Sequence, residues 1–89
     1  MNDKEQEILI IAQEECAEVI QEISKIFRFG IDNSHKEGVT HRAKLEIEIG
    51  DLLTMIDLLV EHKVITTEGI TKAKQDKVDK LHIWSKIYE

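Results

Sequence analysis

Four carboxylates stand in two short stretches, Glu15-Cys16-Ala17-Glu18 and Glu48-Ile49-Gly50-Asp51, and both stretches read as helix. In each, the two acids are three residues apart, which on a helix brings their Cβ atoms to about 5–6 Å of each other. Two like charges ~4 Å apart repel by about 4 kcal/mol at an effective dielectric of 20. Neither stretch contains a Lys or Arg to offset this. Protonation, a basic side chain from elsewhere or a bound cation would relieve the repulsion. Oxygen donors without His or Cys suit the hard ions Mg²⁺, Mn²⁺ and Ca²⁺ better than Zn²⁺.

The helices that must carry these acids are legible from the spacing of apolar residues at ~100° per residue. In the first, Ile8, Ala12, Cys16, Val19, Ile23, Ile26 and Phe27 share one broad face, with Gln13, Gln21, Ser24 and Arg28 opposite. Glu15 falls inside that face, and Glu18 and Glu22 lie at its border with Ile11 and Phe29. In the second, Glu48 projects among Leu52, Met55 and Leu59, with Asp51 one step round. Acids are rarely buried unless paired, so these four are not simply a solvated stripe.

The chain is 89 residues long and carries a formal charge of −6. The reading is one small domain over residues 1–89, a size that buries only a modest share of its surface alone, with oligomerisation as the remedy. An acidic chain lacks the basic face needed to hold a nucleic-acid polymer. The single Cys16 has no internal disulfide partner and reads as a small hydrophobe on the apolar face, which suits a reducing cytoplasm. The apolar run Ile8 to Ala12 is too short for a signal core or a membrane span. The absence of proline, the four glycines and the helical periodicity predict an all-α domain of about three main helices.

The first helix is expected from a cap at Asn2 to Arg28 or Phe29, closed by Gly30. A loop then runs to Val39. Thr40 caps a second helix reaching about Lys63, whose apolar residues cover more than one face, leaving Leu53, Leu58 or Val60 for a further partner. Gly50 marks either close approach of a backbone or ligand beside Asp51, or a tolerated glycine. Thr66 or Thr67 caps a third helix to Ile87 or Tyr88, with Ile70, Ala73, Leu81, Trp84 and Tyr88 as its buried stripe. Lys77 lies within that stripe and Lys80 near its edge; both either send their ammonium groups to solvent or contact phosphate.

The run from Glu14 to Gly30, with Leu45-Glu46-Ile47-Glu48-Ile49-Gly50-Asp51-Leu52-Leu53, resembles the small MazG-like nucleotide pyrophosphohydrolases, especially phage-encoded versions. The two motifs match that family's Glu-x-x-Glu and Glu-x-x-Asp signature, in order and on consecutive helices, and the similarity extends over most of the chain. The stretch between Glu18 and Glu48 is at the long end for the family, and no base-stacking aromatic is identified. The resemblance implies an all-α NTP pyrophosphatase architecture completed as a homodimer or homotetramer. It also implies Mg²⁺-dependent cleavage of a nucleoside triphosphate between its α and β phosphates, giving a monophosphate and pyrophosphate.

By the same resemblance Glu15, Glu18, Glu48 and Asp51 would hold the metal, with Mn²⁺ a possible substitute for Mg²⁺. Glu22 is either a base or ligand-supporting group, or an ordinary surface glutamate. Lys25 and Arg28 would neutralise the leaving pyrophosphate, although Lys25 could instead pair with Glu22 or Glu18, and Arg28 projects onto the polar face. His35, His41, His62 and His82 form no zinc spacing with one another or with Cys16. Ser24, Ser85 and Cys16 lack the base and oxyanion loop of a nucleophile. Two other readings stand beside the enzyme: a helical module that binds nucleotide or metal without turnover, and a pyrophosphohydrolase of another phosphorylated metabolite such as phosphoribosyl-ATP.

Overall fold

The computed structural model describes residues 1–36 and 38–89, and for residues 35 and 36 the backbone only. The described chain is all-α, as expected: α1 (Asp3–Phe29), α2 (His41–Glu61) and α3 (Thr67–Trp84), with a minute antiparallel ribbon of β1 (Ser34–Lys36) and β2 (Val39–Thr40) between the first two helices. Among the described residues, no helix is long and apolar enough to cross a membrane.

Each helix begins on a polar side chain that satisfies an otherwise orphaned N–H. Asn2 Oδ1 accepts from the Glu5 N–H at 2.8 Å, Thr40 Oγ1 from Ala43 at 3.1 Å and Thr66 Oγ1 from Gly69 at 3.0 Å. α1 ends where Gly30 adopts φ +94° and its N–H donates to the Ile26 carbonyl at 2.8 Å. Only glycine takes that backbone without strain. The chain then folds back so that the His41 N–H donates to the Asn33 carbonyl and the Arg42 N–H to that of Ile31. An ion pair from Arg42 Nε to Asp32 Oδ1 at 2.9 Å adds to this, so the connection is tied to the start of α2. Where the sequence predicts a loop from Gly30 to Val39, the described residues form this ribbon; Glu37 lies outside them.

α1 and α2 form an antiparallel hairpin in three recurring layers. Ile8 and Met55 meet in the apolar core with Ala12 and Leu59, Glu15 meets Glu48, and Glu22 meets His41. Each step is seven residues on both helices, two turns that return to nearly the same side. Glu22 is 2 % exposed and His41 3 %.

Several sequence expectations are corrected by this packing. The stripe of α1 turned toward α2 contains Ile8, Ala12, Glu15, Val19, Glu22 and Ile26, so Cys16, Ile23 and Phe27 are exposed rather than buried. Leu58 packs against the hairpin's own core. No residue of α3 is buried, and Trp84 and Tyr88 are exposed, because α3 leaves the hairpin after its first turns. α3 stops at Trp84, short of Ile87, since Ser85 turns to extended backbone and its hydroxyl donates to the Leu81 carbonyl at 2.8 Å.

Candidate functional site

The middle layer of the hairpin brings together three of the four acids singled out in the sequence. One carboxylate oxygen each from Glu15, Glu48 and Asp51 lies within 4.8 Å of the others. The cause is local: three residues separate Glu48 and Asp51 on α2, and the hairpin register sets Glu15 of α1 opposite them. Glu48 is buried at 5 % exposure, Glu15 is half-buried and Asp51 is exposed, so the cluster opens from the helix contact toward solvent. Glu18 is exposed and outside the trio, yet close enough that its charge acts on Glu15.

The electrostatics are those of a crowded anionic site. Loss of water raises the Glu15 carboxyl above its ordinary range, and the charges of Asp51, Glu48, Glu18 and Glu14 push it further the same way. One basic side chain offsets the crowding: Lys44 Nζ lies 2.8 Å from Glu48 Oε1, one helical turn away. That hydrogen bond holds the Lys44 ammonium above its ordinary range against the opposing cost of desolvation.

The donor set fits a divalent cation of the magnesium kind. Ligand oxygens at ~2.1 Å from Mg²⁺ are about 3 Å apart when adjacent and about 4.2 Å apart across the ion, so the trio, which lies within 4.8 Å, would have to draw together to share one ion. The donors are all carboxylate oxygens, as a hard ion prefers.

The other predicted residues are dispersed. Glu22 lies one layer away, its Oε1 2.7 Å from His41 Nδ1. Lys25 lines a cleft of about 460 Å³ with Phe29, Asn33, Ser34 and His41, at the end of the hairpin where the ribbon joins it. Arg28 is exposed and lies 4.9 Å from the centre of the Phe29 ring. Lys77 and Lys80 stand exposed on α3, apart from the trio. Sequence reasoning missed Lys44 and His41. The signal for Lys44 was its i,i+4 spacing to Glu48; for His41 it was the same seven-residue step that links Glu15 to Glu22. Compared with known proteins, the chain matches no family model, no curated protein and no solved structure.

Proposed function

We propose that the chain is a Mg²⁺-dependent nucleoside triphosphate pyrophosphohydrolase of the MazG-like kind, converting a (d)NTP to the monophosphate and pyrophosphate. The observation that carries this reading is the convergence of Glu15, Glu48 and Asp51, from two helices, on one partly open point. Carboxylates alone would repel a triphosphate, so a site of this charge serves such a substrate only with cations between them. Glu15, Glu48 and Asp51 would hold the ion, with Glu18 beside them at the rim. When bound there, Mg²⁺ polarises a phosphoryl oxygen and lowers the pKa of water.

The chain's own residues divide the remaining work. Asp51 and Glu15 offer the accessible edge on which a substrate complex would settle, while Glu48 is held by Lys44 and keeps its place. Lys25 is the basic side chain offered to the leaving pyrophosphate. Glu22, paired with His41, fixes the start of α2 and so the position of Glu48 seven residues on. Assembly as a homodimer or homotetramer belongs to the same reading, supported by the apolar surface left exposed. Its setting is the cytoplasm, that of a host if the chain is phage-encoded.

Pyrophosphate release across a panel of nucleoside triphosphates and phosphoribosyl-ATP, in Mg²⁺ and in Mn²⁺, tests the reaction. Orthophosphate as first product would contradict the cleavage position. The Lys44–Glu48 pair gives the binding-module reading its own ground, because it satisfies the most buried carboxylate of the trio without a metal. No turnover in either ion would favour that module. Glu48→Gln should abolish both turnover and the rise in melting temperature that saturating Mg²⁺ gives the wild type. An unchanged response to Mg²⁺ would remove Glu48 from the ligand set.

A further inference from the structure

We propose that Lys44 is a resident counter-cation of the carboxylate cluster, opposing a divalent ion at Glu48, so that Mg²⁺ loads only as the ammonium withdraws. This rests on the metal site of the function proposed above and concerns how that site is regulated.

Lys44 and Glu48 stand one turn apart on α2, with the ammonium 2.8 Å from Glu48 Oε1. The Glu48 side chain is only 6 % exposed, whereas Lys44 keeps 31 % of its own in solvent. A carboxylate this deep is costly to leave without a positive partner, and Lys44 supplies one. Its reach is wider than that single pair, because the charges of Glu48, Glu18 and Glu22 all act on the ammonium. Glu18 and Glu22 belong to α1, so one lysine of α2 answers acids of both helices.

One ammonium does not neutralise the site. Glu15, Glu18, Glu48 and Asp51 are four acids, and the Glu15 carboxyl stays raised by desolvation and by its acidic neighbours with Lys44 in place. A divalent ion answers that excess better than an ammonium does, yet the two cannot share Glu48 freely. Ligand oxygens lie ~2.1 Å from Mg²⁺, so an ion on either oxygen of Glu48 would stand within about 7 Å of the ammonium. That is inside the ~8 Å screening length of physiological salt. The positive charges repel whichever oxygen the ion takes.

Lys44 has a way out. Its four-carbon stem is flexible and its charge compact. It precedes Asp51 by seven residues, two turns, and so lies on the same side of α2 as that exposed acid. The ammonium can swing toward solvent at this open edge while Glu48 stays where the helix contact holds it. Glu48 is thereby partnered throughout, by the ammonium before loading and by the ion after it. The consequence is that free Mg²⁺ binds this cluster more weakly than the same carboxylates would bind it without the lysine.

Thermal melts across a Mg²⁺ titration, without nucleotide, test this. Lys44→Met should melt lower than wild type in chelator, since Glu48 loses its partner, and should reach half of its Mg²⁺-dependent rise at a concentration lower by at least about tenfold. Lys44→Arg, which keeps the charge, should titrate as wild type does. A Lys44→Met half-point unchanged or moved upward would overturn the proposal, because Lys44 would then be neutral to the ion or an organiser of its ligand. Amine acylation of the wild type, read by mass spectrometry, needs no variant. Saturating Mg²⁺ should speed labelling of Lys44 several-fold and leave that of Lys72, paired with Asp76 on α3, unchanged. Equal labelling of Lys44 with and without the ion would overturn the proposal even if Lys44→Met failed to fold. A Mg²⁺ response indifferent to Lys44 would sink only this inference. A response that sharpens in Lys44→Met, with no nucleotide hydrolysed, would sink only the catalytic reading, and no response in either protein would sink both.

Discussion

Glu22 and His41 are buried against each other at 2.7 Å, a contact between an acid and an imidazole that each helix would be worse off holding alone. Removing one partner takes this contact from a side chain that stays buried, at a cost of about 3 kcal/mol. Replacing both by apolar residues of similar size costs far less. Urea unfolding of Glu22→Leu, His41→Leu and the double variant should therefore show a coupling of at least about 1 kcal/mol, with the double variant more stable than the sum of the singles predicts. Strictly additive losses would mean that the pair is not a unit.

Glu15 and Asp32 respond to pH in opposite directions. The Glu15 carboxyl is held above its ordinary value of 4.5 by desolvation and its acidic neighbours. The native state thus binds that proton more tightly, and its contribution to stability is full below the ordinary value and lost as pH rises through the raised one. Arg42 holds Asp32 below its ordinary value of 3.8 through their hydrogen bond. That contribution is present above the ordinary value and lost as pH falls through the lowered one. In urea midpoints followed against pH, Glu15→Gln should remove a gain on mild acidification, and Asp32→Asn should remove a loss at lower pH. Unaltered profiles would show that neither group is perturbed.

The convergence of Glu15, Glu48 and Asp51 was half legible in the sequence, because spacing of three and an apolar surround are local facts. The pairing of Glu22 with His41 was not, since a histidine beside a Gly- and Asn-containing connection looks solvated. It is buried only because the chain doubles back to give its N–H to Asn33.

At the scale of elements, helix starts followed from local chemistry and burial did not. The caps at Asn2, Thr40 and Thr66 act within one turn and were readable in advance. The facing of α3 was not, because an apolar stripe says that a helix wants a partner and not whether its own chain supplies one. α3 buries no residue, and its Lys72–Asp76 pair at 3.1 Å is exposed. Such a pair contributes about 0.2–0.5 kcal/mol, and an isolated helix of 18 residues is marginal in water. Amide hydrogen exchange should therefore be fastest in α3 and slowest in the layers of α1 and α2 around Ile8, Met55 and Leu59. Equal protection of α3 and α2 would show that another surface covers α3.

At the scale of the molecule, the α1–α2 hairpin has a kinetic consequence. The hairpin joins two helices through a hydrogen-bonded connection, and helical folds of this kind form on the microsecond-to-millisecond scale. The chain contains no proline, so refolding has no prolyl isomerisation to slow it. In the homo-oligomer proposed above, contact between molecules would follow the hairpin, an event whose rate depends on how often they meet. Stopped-flow refolding should thus resolve a fast phase indifferent to protein concentration, followed by one whose rate rises in proportion to it. The yield of native protein should fall on dilution, and a slow phase that ignores concentration would count against the proposed assembly.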